Sequence, residues 1–328
     1  MKQICLKKYC SKLSKDFNLV QGAGGNISWK QDRKILFIKA SGMHIGRALK
    51  DDIFVQVNYE DLIKKINCKN WDENINATFK SKLKPSIETM MHAIIPYKYV
   101  FHLHIISVLS ILIRVDANIL IKKIISNNIG YEFIDYHKPG VELAKAIFKA
   151  KSKHKVFFLK NHGLIFASDT LKEIKDLINR VVGLFSSEMN ITIRSNKFHN
   201  KTAYPNYSLI KYESVNQLAF NSQMLKFINF NWALYPDHIV FLGPYPLYFK
   251  SSAEALEHLK IKSTDYLIIK NEGVFVRNDA SENISTQLRA FYELLTLIDY
   301  KSSFYNFKEN EINELINWDA ELYRKSIL

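Results

Sequence analysis

Apolar and polar residues alternate along this chain in blocks that switch between helical and strand periods. Helical spacing runs from the start to about Phe17 and then stops at a cluster of glycines. KILFIKASG (Lys34–Gly42) alternates and is rich in β-branched and aromatic residues, which predicts a strand ending in a Ser-Gly turn. IFVQVNYEDLIKKI predicts a short strand running into a helix that starts near Asn58, and the polar stretch Asn70–Leu83 predicts a loop. In KPSIETMMHAIIPY, Pro85 followed by Ser86 gives a helix-start signal with Ser86 as N-cap. The longest apolar run, Val100–Val115, is too short to span a bilayer and predicts a buried strand followed by a helix. EFIDYHKPGVELAKAIFKAK reads as a loop and an amphipathic helix. KVFFLKNHGLIFASD reads as two strands around Asn161-His162-Gly163, with a helix from about Leu171 to Glu188.

Between Ser195 and Ser208 the pattern lapses into polar residues, which predicts a linker. Beyond it, LIIKNEGVFVRNDASEN (Leu267–Asn283) echoes FFLKNHGLIFASDTLKE (Phe157–Glu173), with Glu272 where the first copy has His162. The expected domains are therefore residues 1–195 and an extension over 209–328 that is a degenerate echo of the first. A site that uses the turn belongs to the first copy.

Composition narrows the class. With 328 residues, 47% hydrophobic and 24% charged, the chain has the make-up of a globular protein with a sizeable core. No apolar run follows the basic start, so no signal peptide is expected. Three cysteines, Cys5, Cys10 and Cys68, make neither a disulfide framework nor a zinc finger, and free thiols suit a cytoplasmic location. The formal charge of +14 raises the question of nucleic acid. Basic stretches such as KAKSKHK are short, however, and carry no zinc-finger or RNP pattern. Neither a membrane nor nucleic acid is the expected partner. A positive field also attracts a small anionic substrate.

His102-Leu103-His104 is the first candidate for chemistry. In a strand, positions i and i+2 share a face, so both imidazoles can reach one metal ion. The plain alternative is a hydrogen-bonded pair of core histidines. His162, fixed at its tight turn, is the most suggestive third ligand. Catalytic zinc sites use three protein ligands and leave one position open. Glu88, shortly before the histidine strand, is the carboxylate available to move a proton. The stretch VQGAGGNISWK (Val20–Lys30) has neither the dinucleotide spacing nor a P-loop lysine, and by itself reads as a glycine turn.

GGNIS, the Ser-Gly after a strand, PSIE with Met-His following, HLH and NHG occur in the order and spacing of the class II aldolase/adducin family, which includes the fuculose- and rhamnulose-phosphate aldolases. The resemblance covers about Lys12 to Glu188. The remainder resembles the second part of the aldolase region in bifunctional aldolase/short-chain dehydrogenase proteins, without the dehydrogenase. The resemblance implies an α/β fold: a three-layer α/β/α sandwich around a mixed, largely antiparallel sheet, with a smaller C-terminal α/β part. It implies that His102, His104 and His162 hold Zn2+, or another divalent transition metal, and that Glu88 is the acid/base. It further implies that Gly25, Asn26, Ser41, Gly42 and Ser86 cradle a substrate phosphate. The activity implied is retro-aldol cleavage of a small ketose, a ketose 1-phosphate in the better-known enzymes, through a metal-stabilised enediolate. A homo-oligomer, commonly a tetramer, comes with it. Ile87 departs from the pattern, since those enzymes carry a second serine there. Epimerases, dehydratases and decarboxylases share the metal ligands, and adducin-type assembly modules share the fold alone.

Overall fold

The computed structural model describes residues 2–71, 75–76, 81–186 and 204–326. Two compact units emerge: Met1–Glu188 together with Asn317–Leu328, and Met189–Ile316. The expected extension over 209–328 is thus not one body, because its last residues return to pack with the first unit. The expected linker lies largely outside the described residues.

In the first unit, α1 (Lys2–Leu13) leads through the glycine turn to β1 (Asn26–Lys30), β2 (Ile35–Lys39) and β3 (Phe54–Asn58). There follow α2 (Tyr59–Asn67), α3 (Thr89–Ile94), β4 (Tyr99–Leu103), α4 (Ile106–Leu112), α5 (Ala117–Ile125) and β5 (Tyr131–Ile134). The unit continues through α6 (Val141–Ala150), β6 (Val156–Leu159), β7 (Gly163–Ser168) and α7 (Leu171–Ser186). The seven strands form one sheet in the order β3-β2-β1-β4-β7-β6-β5. Only the β5–β6 pair is parallel. Central β4 is buried throughout, which is why YVFHL lacks a polar face.

On one face of the sheet Leu36, Val57 and Ile165 share a core with Leu62 of α2, Met91 of α3 and Ala144 of α6. On the other, Phe185 of α7 meets Phe158 of β6 at 5.8 Å between ring centres, and α1 brings Tyr9 to 5.9 Å from Phe101. The expected three-layer, largely antiparallel α/β architecture results.

Two local expectations need correcting. NISWK is strand β1, hidden in the sequence by its glycine flank and by Asn26 and Ser28, whose polar side chains face the site. And α3 begins at Thr89, with Glu88 rather than Ser86 at the N-cap position. Ser86 Oγ accepts from the Glu88 amide at 3.3 Å in the turn before the helix, and the Glu88 carboxylate accepts from Asn26 and makes no cap bond of its own.

The second unit holds β8 (Tyr207–Leu209), α8 (Gln217–Phe220), α9 (Ser222–Phe230), α10 (Pro236–Leu242), β9 (Tyr248–Phe249), α11 (Ser252–Ile261), β10 (Tyr266–Ile269), β11 (Gly273–Arg277), α12 (Glu282–Leu295) and α13 (Glu309–Ile316). Its sheet runs β8-β11-β10-β9. The pairings are antiparallel, antiparallel and parallel, the same relations as β4-β7-β6-β5 in the first unit. The two turns match in detail. Asn161 and Asn271 have φ of 54° and 60°, and the amides of His162 and Glu272 donate to Leu159 and Ile269 at 3.1 and 3.0 Å. The last helix, α14 (Asp319–Ser326), lies in the returning segment of the first unit. Among the described residues, no helix is long and apolar enough to cross a membrane. All three cysteines are free thiols.

Candidate functional site

The site forms where β1, β4 and the β6–β7 turn meet at the N-terminal side of α3. His102 is fully buried on β4, and its Nδ1 lies 2.9 Å from the Leu164 carbonyl. A carbonyl only accepts, so Nδ1 carries the hydrogen and Nε2 is left with its lone pair facing the site. His104 continues the same face just past the strand end, its Nε2 2.9 Å from His102 Nε2. His162 completes the set from the turn, with its ring centre 4.7 Å from that of His102 and 5.3 Å from that of His104. One ligand atom from each histidine lies within 4.8 Å of the others. In a tetrahedral zinc site, bonds of about 2.05 Å would place such nitrogens roughly 3.3 Å apart.

The turn reaches this position because residue 163 is glycine. A Cβ there would stand 2.6 Å from the Leu103 carbonyl oxygen and 3.0 Å from His104 Cδ2. The glycine cluster in VQGAGGNISWK has the same cause. Gly25 has φ of +65°, and a Cβ on it would stand 2.6 Å from the His102 carbonyl oxygen. We therefore expect Gly25→Ala to lose roughly 2 kcal/mol or more of stability. Metal retention should weaken as well, since the clash falls on the histidine strand. A urea titration paired with metal analysis checks both.

Glu88 faces the histidines and is 3% exposed. Its Oε2 lies 3.5 Å from His102 Nε2 and accepts from Asn26 Nδ2 at 2.6 Å. Its Oε1 lies 3.7 Å from His162 Nε2 and has no hydrogen-bond partner among the described residues. A buried carboxylate oxygen without a donor, beside three converging imidazoles, is what a cation or a transferable proton would satisfy. The donor set therefore fits a divalent transition metal.

Three residues that sequence reasoning passed over or read as packing hold this geometry. His92, one turn after Glu88 on α3, is fully buried and bonds through Nε2 to Asn26 Oδ1 and through Nδ1 to Ser28 Oγ at 2.7 Å. Asn26 Oδ1 can only accept, so His92 Nε2 carries the hydrogen and Ser28 donates to Nδ1. Burial above all, with smaller electrostatic contributions from the His102 and Lys30 side chains, pushes the His92 pKa well below the usual range, which keeps it neutral for this role. Lys39, 2% exposed, donates to the carbonyls of Ala23 at 3.0 Å and Met43 at 2.6 Å, tying the glycine turn to the Ser41-Gly42 turn. Lys30 Nζ donates to the carbonyls of His92, Ile95 and Tyr97, holding the C-terminal end of α3. The spacing Glu88–His92 was the one available signal. A lysine in a strand gives no sign that it is buried.

Of the remaining expected residues, Asn26 and Ser86 adjoin Glu88, and Ser41 lies beside Ser86. Both hydrogens of the Asn26 amide are engaged, by Glu88 and by Ser86 Oγ at 3.2 Å. A bridge between Ala40 and Pro85 sets Ser41 beside Ser86, and the Ser41 amide donates to the Lys84 carbonyl at 2.9 Å. Ser86 does not open a helix, so no helix dipole acts at its hydroxyl. His137 is exposed. His238 is packed between Trp232 and Phe291 in the second unit, and burial pulls its pKa down to about 3.

Three histidines and a carboxylate thus meet at one end of a mixed sheet, a donor set that fits a divalent metal ion. Residues 6–187 match the Class II Aldolase and Adducin N-terminal domain, and the chain belongs to that family. An uncharacterized oxidoreductase of Bacillus subtilis strain 168, YuxG, is 25% identical over 176 residues. That match covers 48% of this chain and 25% of YuxG, so the chain spans about a quarter of that relative. The N-terminal class II aldolase domain of a Thermoplasma acidophilum protein is 28% identical over 55% of this chain and 90% of that one, with a TM-score of 0.48. An L-fuculose-1-phosphate aldolase of Thermus thermophilus is 17% identical over 55% of this chain and 92% of its own, with a TM-score of 0.39.

Proposed function

We propose that the protein is a zinc-dependent aldolase-type lyase that cleaves a small ketose, a ketose 1-phosphate in the first instance, by retro-aldol chemistry. The observation that carries this reading is the convergence of His102, His104 and His162 beside the orphaned Oε1 of Glu88. A divalent cation held by the three imidazoles would supply a Lewis acid for adjacent oxygens of the ketose. In the cleavage the carbon–carbon bond breaks, its electron pair stays with the ketose-derived fragment, and the hydroxyl of the departing fragment becomes an aldehyde. One proton leaves that hydroxyl and one must reach the carbon that kept the pair. Glu88 Oε1 moves the latter, while Asn26 holds Oε2 and so fixes the direction in which Oε1 points. Ser41 and Ser86 offer hydroxyls to the far end of the substrate. A reducing cytoplasm and a homo-oligomer belong to the same reading.

We also infer that the second unit is a degenerate copy of the β4–α7 half. Its matched register puts Leu209 at the place of His102, Lys211 at that of His104 and Glu272 at that of His162. Glu272 accepts from Tyr204 at 2.6 Å and from Ser252, and Lys211 pairs with Glu282, so these positions serve a structural network. One metal per chain follows, not two.

The testing experiment is a ketose-phosphate panel read by coupled detection of dihydroxyacetone phosphate, on protein whose metal content is measured by plasma mass spectrometry. Release from any member with about one zinc per chain is the expected result. Metal without release from any ketose would move the reaction to an epimerase, dehydratase or decarboxylase. Turnover by metal-free protein would overturn the reading.

A further inference from the structure

Strand β1 carries Asn26, Ser28 and Lys30 at alternate positions, and all three side chains meet α3 or the residues flanking it. A strand inside a sheet normally turns apolar residues to a covering helix, yet Asn26 and Ser28 are 6% and 0% exposed. Asn26 bonds Glu88 and His92, and Ser28 bonds His92 Nδ1 at 2.7 Å. Lys30 Nζ donates to the carbonyls of His92, Ile95 and Tyr97 at 3.0, 2.6 and 2.7 Å. The row therefore reaches the helix at its N-cap, its middle and its end.

Little within α3 fixes its own position. The helix has six residues and no side-chain bond at its N-cap, and the Ile95 amide reaches the Met91 carbonyl at only 3.4 Å. Helices this short are unstable alone in water. Met90 and Met91 seat it in the core, but methionine is unbranched and adapts to several rotations of the helix. Directional bonds from outside must set the rotation.

Lys30 is the anchor of the row. Its amide donates to the Lys98 carbonyl at 2.8 Å, which fixes the backbone it starts from. Each hydrogen of the ammonium then has a carbonyl acceptor. Burial draws its pKa down to about 7, against the pull of Asp169, so the charge is costly to keep there. An apolar side chain of equal length would fill the space without that cost. What the ammonium adds is a single point on β1 to which three carbonyls are drawn.

We propose that Lys30 is a positioning residue for the Glu88 carboxylate: by gathering the carbonyls at the end of α3 onto β1, it fixes the helix rotation that sets His92 on Asn26 and Asn26 on Glu88. Without this clamp the helix turns about its axis, His92 leaves Asn26 Oδ1, and Glu88 Oε1 loses its aim. The consequence for rate rests on the lyase reading, in which Glu88 moves the proton, but the positioning does not.

The test compares metal-loaded wild type with Lys30→Met, and with Lys30→Gln should the methionine variant not fold. On a cleaved ketose, kcat is expected to fall about tenfold with KM and metal content unchanged, because a small displacement of a reacting group costs rate rather than binding. In a Glu88→Gln background the same substitution should cost nothing further. Independently of turnover, the imidazole nitrogen resonances of His92 in 15N-histidine-labelled zinc protein, assigned with His92→Gln, should show one neutral Nε2–H tautomer in the wild type and a mixture in the variant. Wild-type kcat in the variant, a full tenfold loss in the Glu88→Gln background, or an unchanged His92 tautomer each overturns the proposal. The two readings fail separately. A protein that cleaves no ketose but shows the tautomer change loses the lyase and keeps the positioning, whereas cleavage with an unchanged tautomer does the reverse.

Discussion

Purified wild type is expected to carry about one divalent transition metal per chain, and His104→Ala to carry almost none. Of the three imidazoles, His104 is the one whose removal tests the metal most cleanly. His102 is fully buried with its Nδ1 engaged by the Leu164 carbonyl, so its loss would leave a hole in the middle of the sheet. His162 stands at the turn that joins two strands of the sheet. His104 is half-buried beyond the end of β4, so alanine there removes a ligand and little packing. Loss of a partner outside the coordination sphere already costs about 10–100-fold in metal affinity, and loss of a ligand should cost more. Turnover should fall with the metal, while the melting temperature measured on metal-free wild type and variant should agree within a few degrees. A variant that keeps the full metal content would mean that the histidines are a hydrogen-bonded core cluster, with their 2.9 Å Nε2–Nε2 contact a shared proton.

Much of this centre is legible in the chain because strand periodicity is strict. HLH in an apolar run puts two imidazoles on one face whatever the tertiary fold, and NHG between two short strands fixes a third at a turn. Glu88 was readable as a candidate only by its place shortly before the histidine strand, and that its carboxylate faces the imidazoles comes from the fold. What periodicity could not supply is which polar residues meet across the sheet. The register Asn26↔His102 sets the Asn26 amide beside Glu88, and that register depends on β1, a strand whose polar residues look like loop in isolation. The glycines were visible but their reason was not: Gly25 and Gly163 are required by carbonyls of the His102–Leu103 strand, far away in sequence. Buried Lys39 and half-buried Lys30 are illegible for a related cause, because a lysine ammonium leaves water only where several carbonyls happen to converge. The return of Trp318 and Tyr323 to the first unit carries no sequence signal at all. Chain order suggests that a tail after a second unit stays with that unit, and only packing decides otherwise.

Glu88→Gln should separate proton transfer from metal binding. Glutamine has the same shape, and its amide oxygen can still accept from Asn26 Nδ2, now 2.6 Å from Glu88 Oε2. The amide nitrogen would then stand where Oε1 is, 3.7 Å from His162 Nε2, with neither a charge nor a lone pair to take a proton. Turnover is therefore expected to fall about 10²–10⁴-fold, the usual contribution of a positioned acid/base, with metal content retained and KM changed little. Asn26→Ala supplies the contrast. It leaves the carboxylate in place but frees it to rotate and strips His92 of the partner that fixes its ring, so its loss should be smaller and should appear mostly in kcat. The two losses should not add, because Asn26 acts only through the group that Glu88→Gln removes. A double variant no slower than Glu88→Gln would place both on one proton path. If Glu88→Gln instead turned over within about threefold of the wild type, the proton would have to travel by another group, and His92, neutral and bonded on both ring nitrogens, could not be that group without breaking the chain from Ser28 to Asn26.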